Sequence, residues 1–198
     1  MTAVDLGAFW AALDAVPVED GAEALYDTAS AEGRLRRANL RHYLETVGQD
    51  ADTLLVAEAP GWRGMTNTGV PFTSMRELGA DYAVPPEPTA PWEASSRVVH
   101  AALADWHGPL PVAWAIVPHH PFVAPDRLTN RTPRPSEVRA GAPVALALLE
   151  AVGASRVVAV GRKAQGALAS AGIDAIAVRH PAQGGATQFT EQLRALSR

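Results

Sequence analysis

The apolar residues of the chain follow two spacings, one helical and one typical of buried strands. Leu6, Phe9, Trp10 and Leu13 recur at i, i+3, i+4 and i+7, which predicts an amphipathic helix. A second helical stripe runs through 35–47. Short continuous apolar runs predict four strands, at 53–57, 112–117, 156–160 and 173–178. Further helices are predicted at 92–106, 136–152, 162–171 and 187–196.

Capping residues, prolines and glycines indicate where the predicted helices and loops begin and end. Ser136 is the expected N-cap of the helix that follows it, and Pro143 is expected to kink or split that helix. Residues 61–91 are rich in Gly and Pro, so we predict a loop there, with one helical turn near Met75–Leu78. A second long loop is predicted at 118–135.

Strands and helices alternate, and the strand runs are short and apolar throughout. This pattern predicts an α/β fold in which helices cover both faces of a parallel sheet. The length of 198 residues, with no repeat or linker, predicts one domain spanning 1–198, whose N-terminal helices (1–50) pack on the core. Ligands bind such sheets at the carboxyl ends of the strands. We therefore expect the functional side chains in the loops 58–74, 118–135 and 179–187.

The amino-acid composition excludes several classes of protein and of site. The chain is 47% hydrophobic and 19% charged, an ordinary globular balance, and it has no run of the roughly 18 apolar residues that a membrane span needs. It contains no cysteine, which excludes disulfides, thiolate zinc sites and iron–sulfur clusters. The N-terminal residues lack the features of a signal peptide. We expect a cytoplasmic monomer without a cofactor or a membrane partner.

The net charge of −4 conceals an asymmetry between the two halves of the chain. Residues 1–110 contain 16 acidic and 7 basic side chains, a net charge of −9, whereas residues 111–198 contain 5 and 10, a net charge of +5. The basic half can form a positive face that attracts nucleic acid. Alternatively, its arginines are scattered over solvated surfaces.

The first loop begins with a carboxylate and contains several glycines. Glu58 follows the first predicted strand, the glycines free the backbone to approach a ligand, and Phe72, behind Pro71, can offer a flat face. The alternative is an ordinary surface loop in which Phe72 belongs to the core and Glu58 is solvated.

The last strand is followed by a histidine and a glycine-rich turn. His180 at the end of that strand can point its imidazole into a cleft, and the backbone N–H groups of the turn and the following helix suit a phosphate. A structural histidine is the alternative reading.

Together these segments resemble the uracil-DNA glycosylase superfamily. The resemblance rests on Glu58-Ala59-Pro60-Gly61 with Gly69-Val70-Pro71-Phe72, on His180-Pro181 with Gly184-Gly185, and on Asn130-Arg131-Thr132-Pro133 … Glu137 with Val157–Arg162. It extends from about Leu35 to the C-terminus. It implies a three-layer α/β/α sandwich on a four-stranded parallel sheet, and hydrolysis of the N-glycosidic bond of a base flipped out of DNA.

The resemblance also implies roles for residues. Phe72 would stack on the base, His180 would donate to the departing base, and Glu58 would orient water or stabilise the cationic sugar. Substrate contacts would come from the pocket residues Ala59, Pro60, Gly61 and Ala115. DNA contacts would come from Arg63, Arg131, Arg162, Pro181, Gln183, Gly184 and Gly185.

Three departures from the superfamily pattern limit what it implies. Without cysteine, the chain belongs to a branch that lacks the iron–sulfur cluster. Ala59 stands where the best-known branch has an Asp base. Ala115 stands where many members have an Asn that reads uracil, so the identity of the excised base stays open.

Other groups of residues in the sequence indicate other sites and other functions. His119 and His120 with His180 suggest a metal only weakly, because adjacent residues of an extended chain point in opposite directions. The turn Gly161–Lys163 could contact phosphate or be purely structural. A catalytically weak member that binds damaged or single-stranded DNA is the main alternative function, and a hydrolase of free nucleosides is a third. The loops 58–74, 118–135 and 179–187 contain no lysine, which predicts a monofunctional hydrolase that forms no Schiff base.

Overall fold

The protein alternates helices and strands along its length, in a computed structural model that describes residues 4–90 and 92–197. In chain order its elements are α1 (Gly7–Asp14), β1 (Ala22–Glu23), α2 (Ala31–Val47), β2 (Thr53–Ala57), α3 (Met65–Thr68), α4 (Ala94–Ala104), β3 (Val112–Ala115), β4 (His120–Pro121), α5 (Pro135–Val152), β5 (Arg156–Val160), α6 (Arg162–Ser170), β6 (Ile176–Val178) and α7 (Ala186–Leu196).

Four parallel strands form the central sheet, in the order β3-β2-β5-β6. Leu54 of β2 pairs with Val112 on one side and with Val157 on the other. Since both faces of β2 are covered, its apolar run is continuous rather than alternating. All four strands end at one edge of the sheet, and the loops that leave this edge are the ones that the sequence singled out.

Helices cover each face of the sheet, which confirms the predicted three-layer α/β/α sandwich. On one face, Phe9 of α1 packs edge-on against Trp114 of β3, with ring centroids 5.1 Å apart, and Leu148 of α5 joins the same cluster. On the other face, Phe189 of α7 packs with Leu55 of β2 and other buried residues. No helix in the described part of the chain has the length and apolar character needed to cross a membrane.

The predicted strands and helices are present, with several differences in detail. β3 ends at Ala115 rather than Val117, and β6 begins at Ile176 rather than Ile173. The single turn predicted near Met75–Leu78 is present, closed by the Leu78 N–H donating to the Ser74 carbonyl over 3.1 Å, while the short helix α3 lies in a stretch predicted as loop. The antiparallel pair β1–β4 was not predicted, because strands of two residues leave no periodic signal.

The start of α5 corrects the predicted cap. Arg134, not Ser136, is the N-cap, and its backbone N–H donates to the Glu137 carboxylate over 2.6 Å. Pro135 occupies the first helical position, where its missing N–H costs nothing. Pro143 does not split the helix, because Val144 and Leu148 hold this stretch in the core.

Candidate active site

A cavity of about 460 Å³ opens at the carboxyl edge of the sheet, where the loops after β2, β3, β5 and β6 meet. It brings together nine of the residues that the sequence singled out: Glu58, Ala59, Pro60, Gly61, Phe72, Ala115, Arg162, His180 and Gln183. Residues from both halves of the chain therefore face one space large enough for a base and its sugar.

The loop after β2 is fixed to the helix α2 and its surroundings by buried hydrogen bonds. Tyr26 donates its hydroxyl to the Gly69 carbonyl over 2.7 Å, and Asn39 donates its amide to the Thr68 carbonyl over 2.9 Å. The Thr68 hydroxyl in turn donates to the Thr73 carbonyl over 2.8 Å. These bonds hold the backbone that carries Phe72 in one conformation.

Phe72 adopts a backbone conformation that bulky residues rarely take. The turn from Val70 to Thr73 is closed by a 3.2 Å hydrogen bond from the Thr73 N–H to the Val70 carbonyl. Pro71 fills its second position and Phe72, at φ 53°, fills the third, which in a type II turn usually belongs to glycine. Such strain persists where the surroundings impose it, often at functional sites. Here it holds an aromatic ring at the cavity wall.

Glu58 extends from the end of β2 into the cavity and lies beside a lysine. Burial raises the pKa of the Glu58 carboxyl, and the positive charge of Lys163 counteracts part of this rise. The Lys163 Nζ lies 3.6 Å from Glu58 Oε2 and donates to the Thr132 hydroxyl over 2.9 Å. The loops 58–74, 118–135 and 179–187 contain no lysine, but Lys163 reaches the cavity from the start of α6.

His180 is held in one tautomer by its own turn. The backbone N–H of Ala182 donates to His180 Nδ1 over 3.0 Å, so the hydrogen of the neutral ring lies on Nε2. Burial lowers the pKa of His180, and the charge of Arg179 lowers it further. Gly161, at φ 91°, packs so closely that a Cβ there would lie 3.0 Å from His180 Cβ. The ring is thus a neutral N–H donor on the cavity wall.

The residues predicted to contact DNA fall into two groups. Arg162, Gln183 and Gly184 are exposed beside the cavity, and Gln183 and Gly184 form the left-handed tip of the last turn, at φ 53° and 75°. Pro181 and Gly185 are buried beneath that tip.

The two remaining predicted contacts lie outside the cavity lining. Arg63 is exposed, and its guanidinium lies 4.6 Å from the centre of the Trp62 ring. Arg131 forms a bidentate ion pair with Glu137, in which Nη1 and Nη2 each lie 2.7 Å from a carboxylate oxygen. Its Nη2 also donates to the Gly21 carbonyl over 3.0 Å. Its guanidinium is used to join the N-terminal segment to α5.

His119 and His120, the possible metal ligands of the sequence, instead place their ring nitrogens within hydrogen-bonding distance of backbone carbonyl groups. His119 Nε2 lies 3.3 Å from the Val16 carbonyl. The ring nitrogens of His120 lie 2.9 Å from the Pro60 carbonyl and 3.1 Å from the Arg127 carbonyl. Among residues 4–90 and 92–197, no three His, Asp or Glu side chains converge as metal ligands would. His120 therefore supports the cavity loop at Pro60 from behind.

Five polar residues of the cavity were not predicted as site residues, namely Glu93, Ser95, Asn130, Lys163 and Arg179. Glu93 is the N-cap of α4, and an acidic residue at a helix start looks like an ordinary stabilising charge in a sequence. Asn130 belongs to the motif that supported the resemblance, but no role was attached to it. Its position in that motif was the available signal.

Comparisons with known proteins agree with the fold. The chain is similar to the crystal structure of wild-type SMUG2 from Pedobacter heparinus, with a TM-score of 0.62 and 13% sequence identity. The match covers 91% of this chain and 88% of that one. No protein-family model matches the sequence, and no curated protein matches it.

Proposed function

We propose that this protein is a monofunctional DNA glycosylase of the uracil-DNA glycosylase type. It hydrolyses the N-glycosidic bond of a flipped uracil, or of another deaminated or damaged base, in base-excision repair. The observation that carries this proposal is the meeting of His180, Phe72 and Glu58 in one cavity. The structural neighbour belongs to the same superfamily, which supports the proposal at the level of the fold.

His180 stabilises the leaving base. A base that departs from its sugar carries its bonding electrons away as an anion, and a fixed N–H donor aimed at the developing charge lowers the barrier. The neutral ring with its hydrogen on Nε2 supplies such a donor. Phe72 holds the flipped base by stacking.

Glu58 stabilises the sugar and orients the attacking water. The sugar gains oxocarbenium character as the bond breaks, so a carboxylate beside it is favourable. Ala59 offers no second base, and water activation therefore falls to Glu58 alone. The positive charge of Lys163 opposes the rise that burial causes in the pKa of Glu58 and so favours the carboxylate form.

DNA binds across the mouth of the cavity. Arg162 contacts the phosphate backbone, the Gln183–Gly184 tip enters the duplex where the base has left, and Arg63 lies along the same loop as Gly61. Arg131 is left out of this interface because Glu137 already occupies its guanidinium.

A catalytically weak protein that binds damaged or single-stranded DNA is the second candidate. It is favoured by the two alanines of the site, Ala59 and Ala115, since Ala115 places an apolar methyl where a polar base reader would stand.

The test is a single-turnover assay on duplexes that carry one uracil, hypoxanthine, xanthine or 5-hydroxymethyluracil. Alkali then cleaves the strand at abasic sites. The enzyme hypothesis expects strand cleavage with at least one base after alkali only. Tight binding to all four duplexes without base release would favour the second candidate.

A further inference from the structure

Glu93 and Asn130 approach the same point of the cavity from two different segments of the chain. A Cβ placed on Gly61 would lie 3.3 Å from Glu93 Oε1 and 4.0 Å from Asn130 Nδ2. A Cβ on Gly64 would overlap Glu93 Oε2, so the absence of side chains at these two glycines leaves room for the carboxyl. An acceptor and a donor therefore stand together above Gly61.

Neighbouring groups fix the orientation of the Asn130 amide. Its Oδ1 accepts the backbone N–H of Trp62 over 3.1 Å, which directs Nδ2 away from Trp62. No hydrogen bond engages Nδ2 within the part of the chain that the structure describes. The Glu93 carboxyl, in turn, forms no ion pair within 4.0 Å among the described residues.

We propose that Glu93 and Asn130 together read the edge of the flipped base, an assignment that rests on the proposed function. The Glu93 carboxylate accepts a ring N–H, and the Asn130 amide donates to the adjacent carbonyl. Ala115 adds no hydrogen bond to this reading, so the pair supplies the selectivity that the alanine does not.

The pair selects a chemical pattern that separates uracil from cytosine and hypoxanthine from adenine. Uracil and hypoxanthine each present a ring N–H beside a carbonyl. Cytosine and adenine present the opposite pattern, a bare ring nitrogen beside an amino group. A carboxylate with an amide donor matches the first pattern and leaves the largely buried Glu93 carboxylate without a partner when the second is bound, which is a source of discrimination.

Discrimination also depends on the ionisation of Glu93. Burial raises the pKa of the Glu93 carboxyl; the Ser95 hydroxyl and the charge of Arg63 oppose this rise, and Glu77 adds to it. The other charged or titratable groups on the cavity wall are Glu58, Arg162, Lys163, Arg179 and His180. Below the raised pKa, a protonated Glu93 can donate to a bare ring nitrogen, so selectivity falls as the pH falls.

The experiment measures binding separately from cleavage. Non-cleavable 2′-fluoroarabino duplexes carry uracil, cytosine, hypoxanthine or adenine opposite an abasic site, so that pairing strength does not differ between them. Fluorescence anisotropy gives the ratio of Kd values for cytosine and uracil and for adenine and hypoxanthine. The proteins are the wild type, Glu93→Ala, Glu93→Gln, Asn130→Asp and, as a matched carboxyl-to-amide control on the exposed face of α5, Glu150→Gln.

The proposal expects the wild type to prefer each deaminated base, and Glu93→Ala to lose on the order of 10-fold to 100-fold of that preference. Glu93→Gln offers a donor beside its acceptor, as a protonated Glu93 does, so it should lose part of the preference at neutral pH and show no further loss at acidic pH. Asn130→Asp replaces the donor with an acceptor and weakens binding of the deaminated bases. Glu150→Gln behaves as the wild type.

Two results separate this inference from the proposed function. If the wild type releases uracil from a cleavable duplex but Glu93→Ala, folded by circular dichroism, keeps the wild-type Kd ratios, the reading by Glu93 is wrong and the glycosylase stands. If the wild type releases no base from any duplex, the proposed function fails. A Kd ratio near one in the wild type also overturns the reading.

Discussion

The two walls of the cavity differ in charge and in the way they are held. The wall formed by the loop after β2 and the start of α4 carries Glu58 and Glu93. The other wall, formed by the start of α6 and the loop after β6, carries Arg162, Lys163 and Arg179 beside His180. The two walls meet where Lys163 Nζ lies 3.6 Å from Glu58 Oε2, so acidic groups of the first half of the sequence and basic groups of the second half line one cavity.

The two walls also differ in the hydrogen bonds that hold them in place. The first loop is tied to buried groups such as Tyr26 and Asn39. The last turn is short and exposed at Gln183 and Gly184, and it is organised by local bonds such as the one from Ala182 to His180. A fixed acidic wall suits a cationic sugar, whereas an exposed basic wall suits phosphates and an anionic leaving base. The predictions below test this division of labour.

The largest effect is expected at His180. His180→Ala removes the donor to the leaving base, and the single-turnover rate should fall by on the order of 10²–10³-fold. The control is His107→Ala, since His107 is exposed and lies outside the cavity. A rate for His180→Ala equal to that of the control would place the leaving-group contact elsewhere.

The next effect is expected at Phe72. Phe72→Ala removes the stacking surface and should weaken substrate binding by about 1–3 kcal/mol, measured as KM or as Kd for a non-cleavable duplex. Phe72→Gly removes the same ring but suits the positive φ, so it should melt at a higher temperature than Phe72→Ala and bind equally poorly. Retained affinity in both variants would show that the ring packs without touching substrate.

The next effect is expected at Ala115, at the end of β3, which also lines the cavity. The new amide of Ala115→Asn offers a further acceptor and donor to the base edge, so the rate with uracil should rise several-fold relative to hypoxanthine or xanthine, within about 1–3 kcal/mol of discrimination. Rates on the three duplexes check this ratio. Because Ala115 is buried, a lower melting temperature with loss of all activity would mean that the position only packs.

Salt dependence tests the basic wall alone. Arg162→Gln should lower the slope of log Kd against log salt by about one, because one phosphate contact releases about one counterion. Arg139→Gln, on the exposed face of α5, is the matched control and should keep the wild-type slope. Equal slopes for both variants would remove Arg162 from the interface.

The smallest effect is expected in stability, at Glu58. Its pKa in the folded protein is raised, so ionising it costs the folded state free energy as the pH rises through that value. Glu58→Gln should therefore melt above the wild type at neutral pH, and the difference should vanish at acidic pH, below the usual carboxyl range. The same variant should lose the acidic limb of the rate profile. A melting difference that does not change with pH would contradict the raised pKa.

The sequence was informative where chemistry follows directly on a strand. Glu58 and His180 come at the ends of β2 and β6, so a parallel sheet brings them to the same edge once its strands are recognised. Glu93 reaches the same cavity from a helix start that gave no separate signal, and Lys163 reaches it from the turn that the sequence left open between phosphate contact and a structural role. The ion pair of Arg131 with Glu137 and its bond to the Gly21 carbonyl were not predicted, because no local pattern reveals these partners and only the fold places them against it.

In the proposed reaction water, not the protein, attacks the sugar as the base leaves. A single-turnover reaction of the wild type and Lys163→Arg on a uracil or hypoxanthine duplex, with and without borohydride, tests this step. We expect free base, an intact strand that breaks only in alkali, and no covalent adduct, although Lys163 lies on the cavity wall. A borohydride-trapped protein–DNA adduct with the wild type that disappears with Lys163→Arg, or no base release at all, would contradict it.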